Sequence, residues 1–283
     1  MMKKHLVTLD NIELDAAYYK INDYISLEKY PNHETRTIMV TNDDVGNRFE
    51  SSGLLFYTAL RLALPEVNVR VARCSLSCDD SLYEVLKFFN TVLLNFHAVK
   101  DDNFKVYETH AVLTLEKIER LKRIHEIAIE VNRKRIEERK AGNFEHTRWR
   151  YAYDQYISAC SNPLLESSIM HLITGLESLL VKGDTSLSHK LSLHASLLLK
   201  NDINERKEIY NFLKNIYNVR SKAVHGEIKE LVKLLSKPDI YDKYFKLKTI
   251  FVEILLKTYG LDEECIFSRL DEIVFMAPSF DKV

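Results

Sequence analysis

Two patterns of apolar positions divide the chain. Near its start, HLVTL (5–9), TIMVT (38–42) and VNVRVARCSLSC (67–78) are β-branched and partly alternating, which predicts short strands. Between them, SSGLLFYTALRLAL (51–64) predicts a helix that ends at Pro65. SLYEVLKFFNTVLLNFHAV (81–99) is apolar almost all round and predicts a buried helix. From about residue 106 the period becomes helical. LEKIERLKRIHEIAIEVNRKRIEERKAG sets Ile118, Leu121, Ile124, Ala128, Val131 and Ile136 close to one stripe, opposite a densely charged face. RYAYDQYISACSN (150–162) is a further helix, and Asn162-Pro163 reads as N-cap and first residue of the next. That next helix repeats Leu165, Ile169, Leu172, Leu176 and Leu179. LSHKLSLHASLLLK (187–200) follows.

Asp202 with Glu205 resembles a capping box opening a helix whose core stripe is Ile209, Phe212, Leu213 and Ile216. YDKYFKLKTIFVEILLKTYG (241–260) and a short tail helix close the chain. The expected fold is mostly α: a smaller α+β N-terminal domain over 1–104, of unassigned role, and a helical domain over 105–283. The glycines agree. Of the seven in the chain, Gly142, Gly183, Gly226 and Gly260 follow helix-like runs, where a C′ residue with positive φ is wanted. No two lie close enough to form a phosphate-cradling loop, which removes the P-loop and dinucleotide-binding fingerprints.

Composition narrows the function classes. A net charge of −1 means that an anionic partner must be met by a local patch rather than by the whole molecule. Four scattered cysteines do not form a disulfide framework. MMKKHLVTLDNIEL has charge but no apolar run behind it, and no stretch approaches a membrane helix. The expectation is a cytoplasmic protein with no membrane association.

The candidate chemistry lies in IYNVRSKAVHG (216–226), at the end of an amphipathic helix. Arg220 and His225 enclose Ser221 and Lys222, a hydroxyl and a second cation. Five helical steps separate the pair by about 140° and about 7.5 Å. Arginine's long reach and a deviating last turn allow both to converge on one phosphate. Arginine offers a permanently charged donor fork, and histidine exchanges protons near neutral pH. Capping is the other reading, since cations near a helix C-terminus favour the macrodipole. Arg120–His125 and Arg139–His146 have similar spacing, but the first reads as a solvated charged face and the second straddles a helix end.

GLESLLV (175–181), SHKLSLHASLLL (188–199) and YNVRSKAVHG (217–226), in that order, resemble the HEPN domain superfamily and its Apea-like branch. The resemblance covers about 145–260, so the C-terminal region is expected to be a HEPN-like helical bundle. It implies a metal-independent endoribonuclease that cleaves RNA by 2′-hydroxyl transphosphorylation, with no cofactor and no metal. It also implies a homodimer whose two motifs line one composite cleft. A role in phage defence, abortive infection or a toxin system follows, with an antitoxin or regulatory partner. Under the resemblance Arg220 and His225 are catalytic: Arg220 stabilises the scissile phosphate and His225 is the general acid/base. Ser221, Lys222 and Lys190 contact the substrate, and Glu177 and Tyr217 support the pair. A catalytically silent RNA-binding or dimerisation module is the alternative. Ser221 stands where active members often carry a more polar residue, as is usual for the Apea-like branch. His194 stands where a residue nearer to arginine is expected.

Other positions weigh differently. Glu177, one residue past its core stripe, is either an exposed carboxylate or a buried one that orients Arg220 or His225. His189 and Lys190 read more readily as surface residues than as phosphate contacts. Cys74 and Cys78 read as small hydrophobes on one strand face, since no second half of a zinc site follows. Trp149, between two arginines, reads as a helix start packing on its neighbour rather than as a platform for stacked bases. Glutamates dilute the basic run RKRIEERK (133–140) into a solvated face.

Overall fold

A computed structural model describes residues 4–30, 36–42, 48–49, 52–67, 69–73, 77–78, 110–143, 147–183 and 185–275. They divide into two compact units, Met1–Phe144 and Glu145–Val283. The boundary expected after residue 104 therefore moves to Phe144, and the long charged helix joins the first unit. The helix foreseen over 81–99, Cys74 and His146 lie outside the described residues.

The first unit is built on β1 (Lys4–Asp10), β2 (Ile12–Leu14), β3 (Tyr18–Lys20), β4 (Ile25–Lys29) and β5 (Arg36–Asn42), followed by α1 (Gly53–Ala63). Then come β6 (Arg70–Arg73), β7 (Ser77–Cys78), β8 (Ala111–Leu113) and α2 (Leu115–Ala141). An antiparallel sheet has the order β3-β4-β5-β1-β6, with β7 also paired to β1. Its centre pairs Lys4 with Asn42 through to Asp10 with Arg36. The Arg36–Asp10 ion pair at 2.7 Å closes that register. Leu6, Ile38 and Val40 are buried with Tyr30. A separate parallel pair, β2 and β8, leads directly into α2. α1 packs on α2, with Ile118, Leu121, Ile124, Ala128 and Val131 buried as the stripe predicts, while Ile136 is only half-buried. His125 departs from the solvated-face reading. It is buried, its ring edge-on to Phe56 at 5.3 Å between centroids, because it flanks Ile124 and Ala128 on the packed side of the helix.

The second unit is all helical: α3 (Arg148–Ser161), α4 (Leu165–Leu180), α5 (Leu187–Leu199), α6 (Ile203–Val224), α7 (Ile228–Leu235), α8 (Ile240–Lys257) and α9 (Glu263–Phe275). α3 and α4 form an antiparallel hairpin, because their contacts run in opposite order along the two helices. Ser168 Oγ donates to the Ala159 carbonyl at 2.9 Å, Gln155 bonds His171 at 2.7 Å, and Arg148 donates to the Ser178 carbonyl at 3.1 Å. Asn162 does not open α4. It ends α3, and its side chain accepts from the Leu164 backbone N–H at 2.9 Å, so the helix begins two residues later than expected. α4 buries Ile169, Leu172, Leu176 and Leu179 against its neighbours. Phe251 of α8 lies so close that a Cβ on Gly175 would stand 2.6 Å from its ring. α5 packs on α6. Asp202 caps α6 by accepting from the backbone of Asn204 and Glu205 at 2.9 and 3.0 Å. The return half of the capping box is missing, because Glu205 pairs with Lys200 at 3.0 Å. Trp149 packs as foreseen, stacked with Tyr153 and bonded through Nε1–H to the Leu255 carbonyl at 2.8 Å. No helix among the described residues is long and apolar enough to cross a membrane.

Candidate functional site

α6 carries the motif, and its two sides do different things. Ile209, Leu213, Ile216 and Val219 bury the helix in the bundle. Tyr217 and Arg220, three apart and so on neighbouring positions of one face, both meet Glu177 of α4. The Tyr217 hydroxyl donates to Glu177 Oε1 at 2.6 Å, and Arg220 Nη2 donates to Oε2 at 3.0 Å. The arginine also lies over the Tyr217 ring, 5.5 Å from its centroid. With side chains 24% and 13% exposed, the Arg220–Glu177 pair is partly shielded from water, so its field is stronger than that of a surface pair. Burial, the bond to Glu177 and the Glu177 charge push the Tyr217 hydroxyl up to about 12. It therefore stays protonated, and a donor, across the neutral range. Of the two readings of Glu177, the structure has the half-buried, doubly bonded one.

The end of α6 is a Schellman cap. Val224 is the last helical residue, His225 is the C-cap, and Gly226 takes φ 69°. The Glu227 N–H returns to the Lys222 carbonyl at 3.0 Å, and the Gly226 N–H to the Ala223 carbonyl at 3.3 Å. His225 is held only through its backbone N–H, which bonds the Ser221 carbonyl at 3.1 Å. Its imidazole is exposed and makes no hydrogen bond or ion pair among the described residues. The helix end thus presents an exposed imidazole, while Arg220 is held against Glu177 on another side of α6.

The other expected contacts have structural partners. Lys222 pairs with Glu227 at 2.6 Å, which places an ion pair across the cap. Lys190 donates to the Lys182 carbonyl at 3.2 Å and so closes the α4–α5 connection. His189 bonds the Tyr210 hydroxyl at 2.8 Å. His194 Nδ1 lies 2.6 Å from the Leu180 carbonyl, which can only accept, so that nitrogen carries a proton. Ser221 is half-buried on the turn before His225. The structure thus gathers Glu177, Tyr217 and Arg220 by direct bonds, while Lys222 and Lys190 each hold a local contact.

Sequence reasoning passed over α7 and what it makes with α6. A groove of about 190 Å³ lies between α6 and the start of α8, and Asn215, Asn218, Lys237 and Lys243 are among its lining residues. The signal available was the run of two asparagines three apart on the motif helix. Arg148 was also missed. It donates to the Ser178 and Val181 carbonyls at 3.1 and 2.9 Å and pairs with Glu263 at 3.0 Å, tying the end of α4 to α9. The chain matches no family model, no curated protein and no solved structure.

Proposed function

We propose that the protein is a metal-independent endoribonuclease of the HEPN type, acting as a homodimer in defence or growth arrest. The observation that carries this reading is the division of labour on α6: an arginine braced by Glu177 and, at the helix end, a histidine whose ring is exposed and unbonded. His225 takes the proton of a ribose 2′-hydroxyl. The oxygen attacks the adjacent phosphorus, and the bond to the 5′-oxygen breaks. That oxygen leaves with a proton supplied by the second His225 of the dimer. The products are a 2′,3′-cyclic phosphate and a 5′-hydroxyl end. Arg220 keeps N–H groups beyond the one given to Glu177, and these meet the charge that grows on the phosphate oxygens. A two-chain site supports the geometry, because one chain separates Arg220 and His225 by about 140° around α6.

The second reading is a catalytically silent RNA-binding or dimerisation module. The Glu177–Arg220 pair favours it, since an arginine already facing a carboxylate offers phosphate a weaker field. Incubation of the purified chain with mixed RNA in EDTA separates the two, run beside Arg220→Ala and His225→Ala. The ribonuclease reading expects cyclic-phosphate ends from the wild type alone, with each variant slower by about 10²-fold or more. Equal cleavage by all three chains, or cleavage that demands Mg²⁺, overturns it.

A further inference from the structure

The groove beside α6 has the chemistry of a nucleotide subsite. Its floor is apolar, with Ile216 and Val219 each 2% exposed. Asn215 and Asn218 line one wall and are themselves exposed. Among the described residues neither amide side chain is engaged in a hydrogen bond. Each therefore presents a planar donor and acceptor side by side, the pairing that reads a base edge. Lys237 and Lys243 complete the lining. Lys243 pairs with Asp239 at 2.7 Å, and Lys237 acts on the same carboxylate. Two cations against one carboxylate leave an excess of positive charge where a phosphate would lie. A volume of about 190 Å³ is below the roughly 300–1,000 Å³ of pockets for larger ligands, so the groove suits one base and not a longer segment.

Position ties the groove to the motif. Asn218 and His225 are seven residues apart on α6, so they share a side of the helix to within about 20° and lie about 10 Å apart along it. Arg220 faces the other way, toward Glu177. A strand that places its scissile phosphate at the helix end thus runs back over Asn218.

We infer that this groove takes the base of a nucleotide flanking the scissile phosphate and sets the base preference of the protein. The chemistry of the groove stands on its own residues, whereas its role in cleavage rests on the ribonuclease reading. The test uses the full chain carrying Arg220→Ala and His225→Ala, labelled with ¹⁵N, and the four nucleoside 3′-monophosphates as probes. The side-chain amide signals of Asn215 and Asn218 are expected to shift saturably, with one base preferred. Adding Asn218→Ala, an exposed position that the fold tolerates, weakens the preferred nucleotide about tenfold, the size of one good polar contact. Lys237→Glu weakens all four alike. Amide signals that stay still, that move equally for every base, or an affinity unchanged by Asn218→Ala overturn the groove. Cleavage by the unsubstituted chain with silent amides overturns the groove alone. Amides that move for one preferred base, without cleavage by the unsubstituted chain, uphold the groove and overturn the ribonuclease reading.

Discussion

At the scale of single residues, the Glu177 carboxylate decides how the site behaves. Both its oxygens are occupied, one by a phenol and one by a guanidinium, so neither partner moves without disturbing the other. The Tyr217 hydroxyl, pushed up to about 12, gives this coupling a signature in pH. Its proton is held more tightly in the fold than in the unfolded chain, where a tyrosine titrates near 10. The stabilisation is therefore present in full below about pH 10 and is lost as pH rises through about 12. Chemical denaturation of the wild type is expected to show a falling midpoint across that window, with a smaller fall for Tyr217→Phe. At neutral pH the same variant loses about 1.5–3 kcal/mol, one hydrogen bond to a charged acceptor. Under the proposed ribonuclease mechanism its cleavage rate is expected to fall less than that of Arg220→Ala, because Glu177 still holds the arginine. Identical pH profiles for the two chains would show that the phenol is not coupled to the carboxylate.

At the scale of elements, α4 is the part that the site cannot spare. It bears Glu177, and its placement depends on Gly175 two residues earlier. A methyl at Gly175 meets the ring of fully buried Phe251 at 2.6 Å, closer than the ring can yield. Overpacking of this kind costs about 1–3 kcal/mol and outweighs the roughly 1 kcal/mol that alanine gains in helix propensity. Gly175→Ala is expected to lower Tm by roughly 3–6 °C in a thermal melt. If the proposed mechanism holds, it should also slow cleavage, because α4 shifts away from α8 and carries Glu177 with it. An unchanged melting temperature would mean that Phe251 has another rotamer open to it. Elements of this length were legible in the sequence wherever an apolar period sat in a helix-like run of three turns or more. The Leu165–Leu179 and Ile209–Ile216 stripes set α4 and α6 in the right faces, and Gly226 marked the end of α6. The short α7 was not legible, because IKELVKLL offers only two turns and buries only Leu231. The start of α4 was misplaced because Asn162 is as good an Asx-turn residue as an N-cap. His125 was misread because a titratable side chain on a charged helix carries no mark of the neighbour, Phe56, that buries it. The groove arises from three helices at once and had only Asn215 and Asn218 to announce it.

At the scale of the whole molecule, the proposed mechanism asks for two chains, and the surface beside the motif bears on whether two chains meet. Val224, Ile228 and Val232 are 54%, 60% and 55% exposed, flanking the cap that holds His225. β-Branched residues left this bare by their own bundle lose little by staying in water singly, but Ile228 and Val232, four apart and so on one face of α7, with Val224 before the cap, offer apolar surface that a second chain can cover. A contact there would bring the exposed His225 of one protomer toward the other and supply the acid that one chain lacks. The wild type is expected to run at twice 33.1 kDa in light scattering. Ile228→Lys with Val232→Lys should give a monomer with an unchanged circular dichroism spectrum, since both side chains are more than half exposed. That monomer should lose cleavage by as much as His225→Ala does, although Arg220, His225 and Glu177 are all intact. A mixture of His225→Ala and Arg220→Ala chains discriminates further. If the cleft is shared, mixed dimers place one intact histidine and one intact arginine in a single cleft, and they regain a part of the activity that neither variant has alone. A lysine-substituted chain that keeps both its dimer mass and its cleavage would move the interface elsewhere on the bundle. One that becomes monomeric and still cleaves would confine the chemistry to a single protomer, and Arg220 would then have to leave Glu177 to meet His225.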